Sequence, residues 1–193
     1  MLLWVDLETT GLDERRGAIL EIAALLTDDQ FENVVEGPSL VIDPSFVGWH
    51  DMMDPYVREM HTKNGLIADI AAGKGVRMHE AEFQVRAFVE EHTPKGAVIF
   101  GNQRANTLSS IPLAGSSIHF DRRFMRHHTP ELERALNYRC FDVSTLKLAC
   151  QAFAPHLAAS RKRPENIAHR AMADIKESLA EARFYRDVFL RRG

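Results

Sequence analysis

The sequence predicts an α/β fold, a β-sheet packed by α-helices, and three observations carry that expectation. Compact apolar runs near the N-terminus stop at turn residues, as buried strands do. Later segments repeat their apolar residues at helical spacing. Strands are followed by intermixed helices, the order of a sheet covered by helices. With 193 residues, 45% of them hydrophobic, the chain is long enough to bury a proper core, and a single domain over 1–193 is expected.

Residues 2–7 (LLWVDL) stop at Thr9-Thr10-Gly11 and read as the first strand. The run 18–27 (AILEIAALLT) leads into Asp28-Asp29-Gln30 and reads as the second. A third strand over 31–42 is interrupted by Gly37-Pro38, which suits a hairpin at a sheet edge. Residues 54–67 open on Asp54-Pro55, an N-cap followed by proline at the first helical position, and close at Asn64-Gly65, so they read as a helix. Over 78–92, Ala81, Val85, Phe88 and Val89 recur at helical spacing, with Glu80, Glu82, Glu90 and Glu91 opposite. Within 97–124, two short apolar runs bracket GNQRANTLSS, which reads as one strand plus a surface insertion over 101–110. Further helices are expected over 131–136, 141–154 and 175–190, with a basic loop, HLAASRKRPENIAH, before the last.

Composition narrows the function. Twenty-four Lys and Arg against twenty-seven Asp and Glu give a net charge of −3, far from the balance of a protein that grips long duplexes. Any nucleic-acid contact is therefore expected to be small and local. The opening MLLWVDLETT has no basic leader and meets an acid at position 6, so it reads as neither signal peptide nor anchor. No apolar run approaches the roughly 20 residues that span a bilayer. Cys140 and Cys150 lack metal-type spacing, which points to a reduced, cytoplasmic setting and to two buried, small apolar residues.

The chemistry centres on Asp6-Leu7-Glu8. Side chains alternate along a strand, so Asp6 and Glu8 share a face while Val5 and Leu7 take the other. Two acids on a buried strand are costly to ionise without a partner charge, and a divalent cation is the simplest partner. An oxygen-rich set suits Mg²⁺ or Mn²⁺ rather than zinc. The alternative is a strand that has merely reached solvent, and this short motif does not choose between them. Asp121 sits at a strand-to-helix junction, where it serves as a helix cap or as a ligand. His169 and Asp174 are five apart, about 140° of helical rotation, and so cannot share one helix face. His169 is expected just before the final helix and Asp174 on its first or second turn, converging from different elements.

Together, Asp6 and Glu8 in WVDLETTGLD, Asp121 in SIHFDRRF, and His169 with Asp174 in HRAMADIKES resemble the DEDDh exonucleases, a branch of the ribonuclease-H-like superfamily. Within that branch the likeness to oligoribonucleases runs over nearly the whole chain, including EGPSLVI, HTKNGL, PELERAL, NYRCFDVSTLK and ADIKESLAEARFYR. The resemblance implies a ribonuclease-H-like mixed β-sheet flanked by α-helices. It implies a homodimer that degrades short single-stranded RNA, down to dinucleotides, from the 3′ end to 5′-mononucleotides, using two Mg²⁺ or Mn²⁺ ions. Asp6, Glu8 and Asp174 would hold the ion carrying the nucleophilic water, Asp6 would bridge to a second ion shared with Asp121, and His169 would be the general base. Leu12 and His61 would lie beside the bases, wedging and stacking them. Ser117, Arg139 and Ser144 would cap the 5′ phosphate, a task that suits the planar fork of arginine.

Each substrate residue also has an ordinary reading: Leu12 as a turn residue, His61 as a solvated helix position, the other three as caps or surface residues. The sequence departs from the oligoribonuclease pattern at Thr9, where Met is usual, at Ser116, where Asn is common, and at Ala173, where Asp is common. None of these is among the five core positions. Two rival readings remain. One is the same chemistry on DNA or structured RNA ends, of proofreading or ribonuclease T type, which the negative charge disfavours. The other is a non-catalytic nucleic-acid-binding module, which the five intact positions disfavour.

Overall fold

A computed structural model of the chain describes residues 1–44, 48–93, 98, 99, 103, 104, 111–162 and 169–190. Three antiparallel strands come first, β1 (Leu2–Thr9), β2 (Ile19–Thr27) and β3 (Val34–Val41). A 3₁₀ turn (Trp49–Met52) leads to α1 (Pro55–Lys63), α2 (Leu66–Ala71) and α3 (Met78–His92). A small antiparallel ribbon of β4 (Val98–Ile99) and β5 (Gln103–Arg104) precedes β6 (Leu113–Gly115), α4 (His119–His128) and α5 (Pro130–Ala135). The chain continues through β7 (Cys140–Asp142), α6 (Val143–Phe153), α7 (Pro155–Ala159) and α8 (Ala171–Tyr185). The main sheet runs β3-β2-β1-β6-β7, with β6 parallel to β1 and β7 parallel to β6. The α/β expectation and the mixed sheet are both met.

Alternation along β1 builds two layers. Leu2 and Trp4 pack with Val143 and Cys150 of α6 and with Ala171, Ile175, Leu179 and Ala182 of α8. Leu3, Val5 and Leu7 pack with Ala81, Val85 and Val89 of α3, Phe124 and Met125 of α4, and Leu132 of α5. Each fully buried Leu or Ile contributes about 1.5–3 kcal/mol relative to exposure. Asp6 and Glu8 continue the even-numbered series and so fall on the α8 side of the sheet. β2 is buried along its whole length, which explains an apolar run interrupted within the strand only by Glu21.

Edge strand β3 tolerates Gly37-Pro38 because an edge leaves one side without ladder bonds. A Cβ at Gly37 would collide with the Phe88 ring of α3, so close packing requires glycine there. In α1, the Asp54 carboxylate accepts the Tyr56 N–H at 2.8 Å, as the Asp-Pro signal predicts. The helix expected over 54–67 instead divides at Asn64-Gly65, where Gly65 turns left-handed (φ 81), and resumes as α2. The helix expected over 141–154 starts two residues later. Phe141 and Asp142 belong to β7, pairing with Ala114 and Gly115, and the Asp142 side chain caps α6. The final helix starts earlier than expected, at Ala171, and its end over Arg186–Leu190 is π-helical. Cys150 is buried, but Cys140 is exposed, so only one of the two has the expected environment.

The insertion expected over 101–110 lies outside the described residues except for Gln103 and Arg104, and so does the 163–168 part of the basic loop. Among the described residues, no helix is long and apolar enough to cross a membrane.

Candidate active site

The parallel strands β1, β6 and β7 end at the same edge of the sheet, and the acids gather there. One carboxylate oxygen from each of Asp6, Glu8 and Asp174 lies within 4.8 Å of the others. Asp174 is in the first turn of α8, the helix that covers the even-numbered face of β1. Glu8 is only 7% exposed, so the strand has not simply run out into solvent. Asp121 lies in the first turn of α4, and its Oδ1 accepts the Leu7 N–H at 3.0 Å. That bond ties α4 to the acidic strand, whereas the α4 N-cap is Ile118 and makes no side-chain cap bond.

Burial, before any neighbouring charge, raises all four carboxyl groups. Asp6 is pushed well above the usual range by burial and then by Asp121, Glu8, Asp174 and Glu21. Burial, Asp174 and Glu21 lift Glu8 to about 8, with Arg170 pulling back. Asp121 is lifted to about 7 by burial, against its backbone hydrogen bonds. Asp174 is raised by burial, and the neighbouring His169 offsets part of that. Crowded acids that resist ionisation and offer only oxygen donors fit a hard divalent cation.

His169 lies two residues before the start of α8, preceding the N-cap Arg170, with a left-handed backbone (φ 46), and its carbonyl accepts from Asn64 Nδ2. It and Asp174 thus approach from different elements, as the rotation argument requires.

The substrate candidates divide. Leu12 is 79% exposed on the turn after β1. That turn is fixed by the Thr10 N–H to the Ala18 carbonyl at 3.0 Å and by His128 Nε2 at 3.1 Å from the Glu14 carbonyl. His61 is fully buried, which corrects both the stacking role and the solvated alternative. Its Nε2 lies 3.0 Å from the Thr9 carbonyl and 3.9 Å from Glu8 Oε2, so it props the irregular end of β1 and offers no open ring face. Burial lowers its pKa, in keeping with a neutral imidazole. Ser117, with φ 54, meets Ser144 with hydroxyl oxygens 3.0 Å apart, and its N–H donates to Asp142 Oδ1 and Ser144 Oγ, each at 2.9 Å. Arg139 lies before the other end of β7, roughly 10 Å of strand away. Its guanidinium stacks over Tyr138, 4.6 Å from the ring centroid.

Two residues beside the site escaped the sequence reading. Glu21 is the Cα partner of Glu8 and is 3% exposed. Arg170 clasps it, with Nε 3.1 Å from both oxygens and Nη2 2.9 Å from Oε1, and also reaches Asp69 Oδ2 at 3.1 Å. The available signal was an acid inside an apolar strand, which needs a partner, and an arginine next to His169.

The RNase T exonuclease family matches residues 3–182. The chain is similar to the mitochondrial oligoribonuclease of Mus musculus, at 36% identity over 99% of this chain and 74% of that protein. It is likewise similar to the oligoribonuclease of Thiobacillus denitrificans, at 40% identity over 98% of this chain and 95% of that one. Among solved structures, exonuclease I of Methylocaldum szegediense superposes with a TM-score of 0.69 at 19% identity. E. coli exonuclease I in complex with a 5cy-dT13 oligonucleotide gives 0.70 at 19%. Each comparison covers 98% of this chain but only 41% of the exonuclease I chain, so the likeness is one of fold.

Proposed function

This chain belongs to the RNase T exonuclease family and is a 3′-to-5′ exoribonuclease of the oligoribonuclease type, and we propose that it consumes RNA of a few nucleotides, down to dinucleotides, releasing 5′-mononucleotides. The observation that carries this reading is the cluster of Asp6, Glu8 and Asp174 at the end of a buried strand. Asp6, Glu8 and Asp174 would hold one Mg²⁺ or Mn²⁺, and Asp6 with Asp121 a second. Such a pair, when bound, supplies charge relief on the phosphoryl oxygens and a more acidic water.

The protein's own groups do the rest. The His169 imidazole takes the proton of the attacking water, the general-base work that histidine side chains do most often. His61, by engaging the Thr9 carbonyl, keeps the end of β1 in place under Glu8. Leu12 presents an apolar side chain against a base, and the Ser117 and Ser144 hydroxyls offer hydrogen bonds to a 5′ phosphate. Arg139, whose planar guanidinium fork suits a phosphate, is the third candidate for that 5′ end. A cap at that end makes length itself the selected feature.

One exonuclease domain over the whole chain, working as a cytoplasmic homodimer, completes the reading. The family match over 3–182 supports the first part, the free thiols of Cys140 and Cys150 the second. Exposed Tyr138, Leu148 and Phe153 offer apolar surface for a second copy. The test is cleavage of labelled RNA and DNA, from two to about twenty nucleotides, with Mg²⁺ or Mn²⁺ and an Asp6→Ala control. Activity that climbs as RNA shortens to two supports the proposal. Equal activity on long DNA selects the proofreading alternative, and wild-type protein no faster than the control removes the site.

A further inference from the structure

A left-handed backbone is strained for a residue with a Cβ, so something must hold His169 there. Two holders flank it. Asn64, at the end of α1, donates from Nδ2 to the His169 carbonyl, while its Oδ1 accepts the Leu66 N–H at 3.0 Å. The next residue, Arg170, is fastened to β2 through Glu21 and to α2 through Asp69. The Ala171 N–H donates to Glu21 Oε2 at 2.9 Å, so this one carboxylate also satisfies the start of α8. Buried, and engaged by both Arg170 and Ala171, Glu21 is a rigid anchor, and it stands opposite Glu8 in the ladder.

We propose that Asn64 and the Arg170–Glu21 pair are positioning residues for hydrolysis, fixing the His169 backbone and with it the place of the imidazole relative to Asp6, Glu8 and Asp174. The inference rests on His169 being the base and adds what puts it in place. The same clasp keeps Glu21 out of the cation-binding set by occupying its oxygens. Lysine at position 170 would keep the charge but lose the two-pronged fork, so geometry and charge are separable.

The experiment takes Asn64→Ala and Arg170→Lys, each alone and combined with His169→Ala. It measures kcat and KM on a dinucleotide, calorimetric titration with Mn²⁺ alone, and thermal melting; Arg170→Lys decides the matter if Asn64→Ala folds poorly. Each single variant is expected to lower kcat about 10-fold or more, because small misplacements of a reacting group are costly. KM and the Mn²⁺ dissociation constant should stay within about 2-fold of wild type, and the loss should vanish in the His169→Ala background, since a group that acts through another has nothing left to act on. Losses that multiply in that background, unchanged kcat, or Mn²⁺ affinity that falls with kcat each overturn the proposal. If His169→Ala itself turns over like wild type, the base assignment fails first and the proposal falls with it.

Discussion

Glu8 and Glu21 are Cα partners across the β1–β2 ladder, both buried, and they live in opposite electrostatic surroundings. Glu21 has the Arg170 fork and the Ala171 N–H. Glu8 lies with Asp6 and Asp174, and burial together with Asp174 and Glu21 lifts its carboxyl to about 8. One acid is spent on holding α8, the other is left available to a cation.

Glu8→Gln should therefore separate stability from activity. The amide removes a charge that burial and its neighbours oppose, so metal-free protein at pH 8 should melt higher than wild type. Cleavage of a dinucleotide should fall by about 100-fold or more, because an oxygen ligand has lost its charge. A variant that melts lower in the absence of metal would show that Glu8 is already satisfied in the folded protein.

The pH dependence of metal-free stability has a definite sign. Glu8 titrates near 4.5 when unexposed to the fold and about 8 within it, and Asp121 near 3.8 and about 7. Between those values the folded state keeps protons that the unfolded chain releases, so stability falls as pH rises. His61 and His128, both lowered by burial, contribute the opposite slope up to about 6.5. The carboxylate slope is therefore read between pH 6.5 and 8, where chelated protein should lose melting temperature. Added Mg²⁺ or Mn²⁺ should restore more at pH 8 than at 6.5, because binding competes with protons. A melting temperature that climbs with pH across that window contradicts the assignment.

His169→Ala should lower kcat on a dinucleotide by roughly 10²–10⁴, the usual contribution of a general base. Calorimetric Mn²⁺ binding should largely survive, since the clustered oxygens belong to Asp6, Glu8 and Asp174. Turnover close to wild type would take His169 out of the chemistry.

Local geometry made much of this site readable from sequence. Strand alternation put Asp6 and Glu8 on one face, and helical rotation separated His169 from Asp174, because both rules act within a few residues. What escaped depends on partners distant in sequence or on elements too short to show a period. Arg170 and Glu21 are 149 positions apart, so neither segment announces the clasp. β7 has three residues, and its identity comes from pairing with β6 rather than from its own pattern. His61 is the one buried residue of α1, and its place four residues after Val57 puts it on the inward face, which its polar character disguises.

Leu12→Ala tests the substrate end. A leucine that is 79% exposed contributes little to folding, so melting should be unchanged and stability should move by no more than about 0.5 kcal/mol. If its side chain packs against a base, that contact removes apolar surface from water only when RNA is bound. Losing it should cost about 1–2 kcal/mol of binding, or roughly a 5- to 30-fold rise in KM for a dinucleotide. Leu12→Met should recover most of the loss, because a flexible thioether of similar volume fills the same gap. The penalty should shrink for longer RNA, whose additional nucleotides bring contacts of their own. Unchanged kinetics on dinucleotides, with melting also unchanged, would return Leu12 to the status of an ordinary turn residue and leave length selection to Ser117, Arg139 and Ser144.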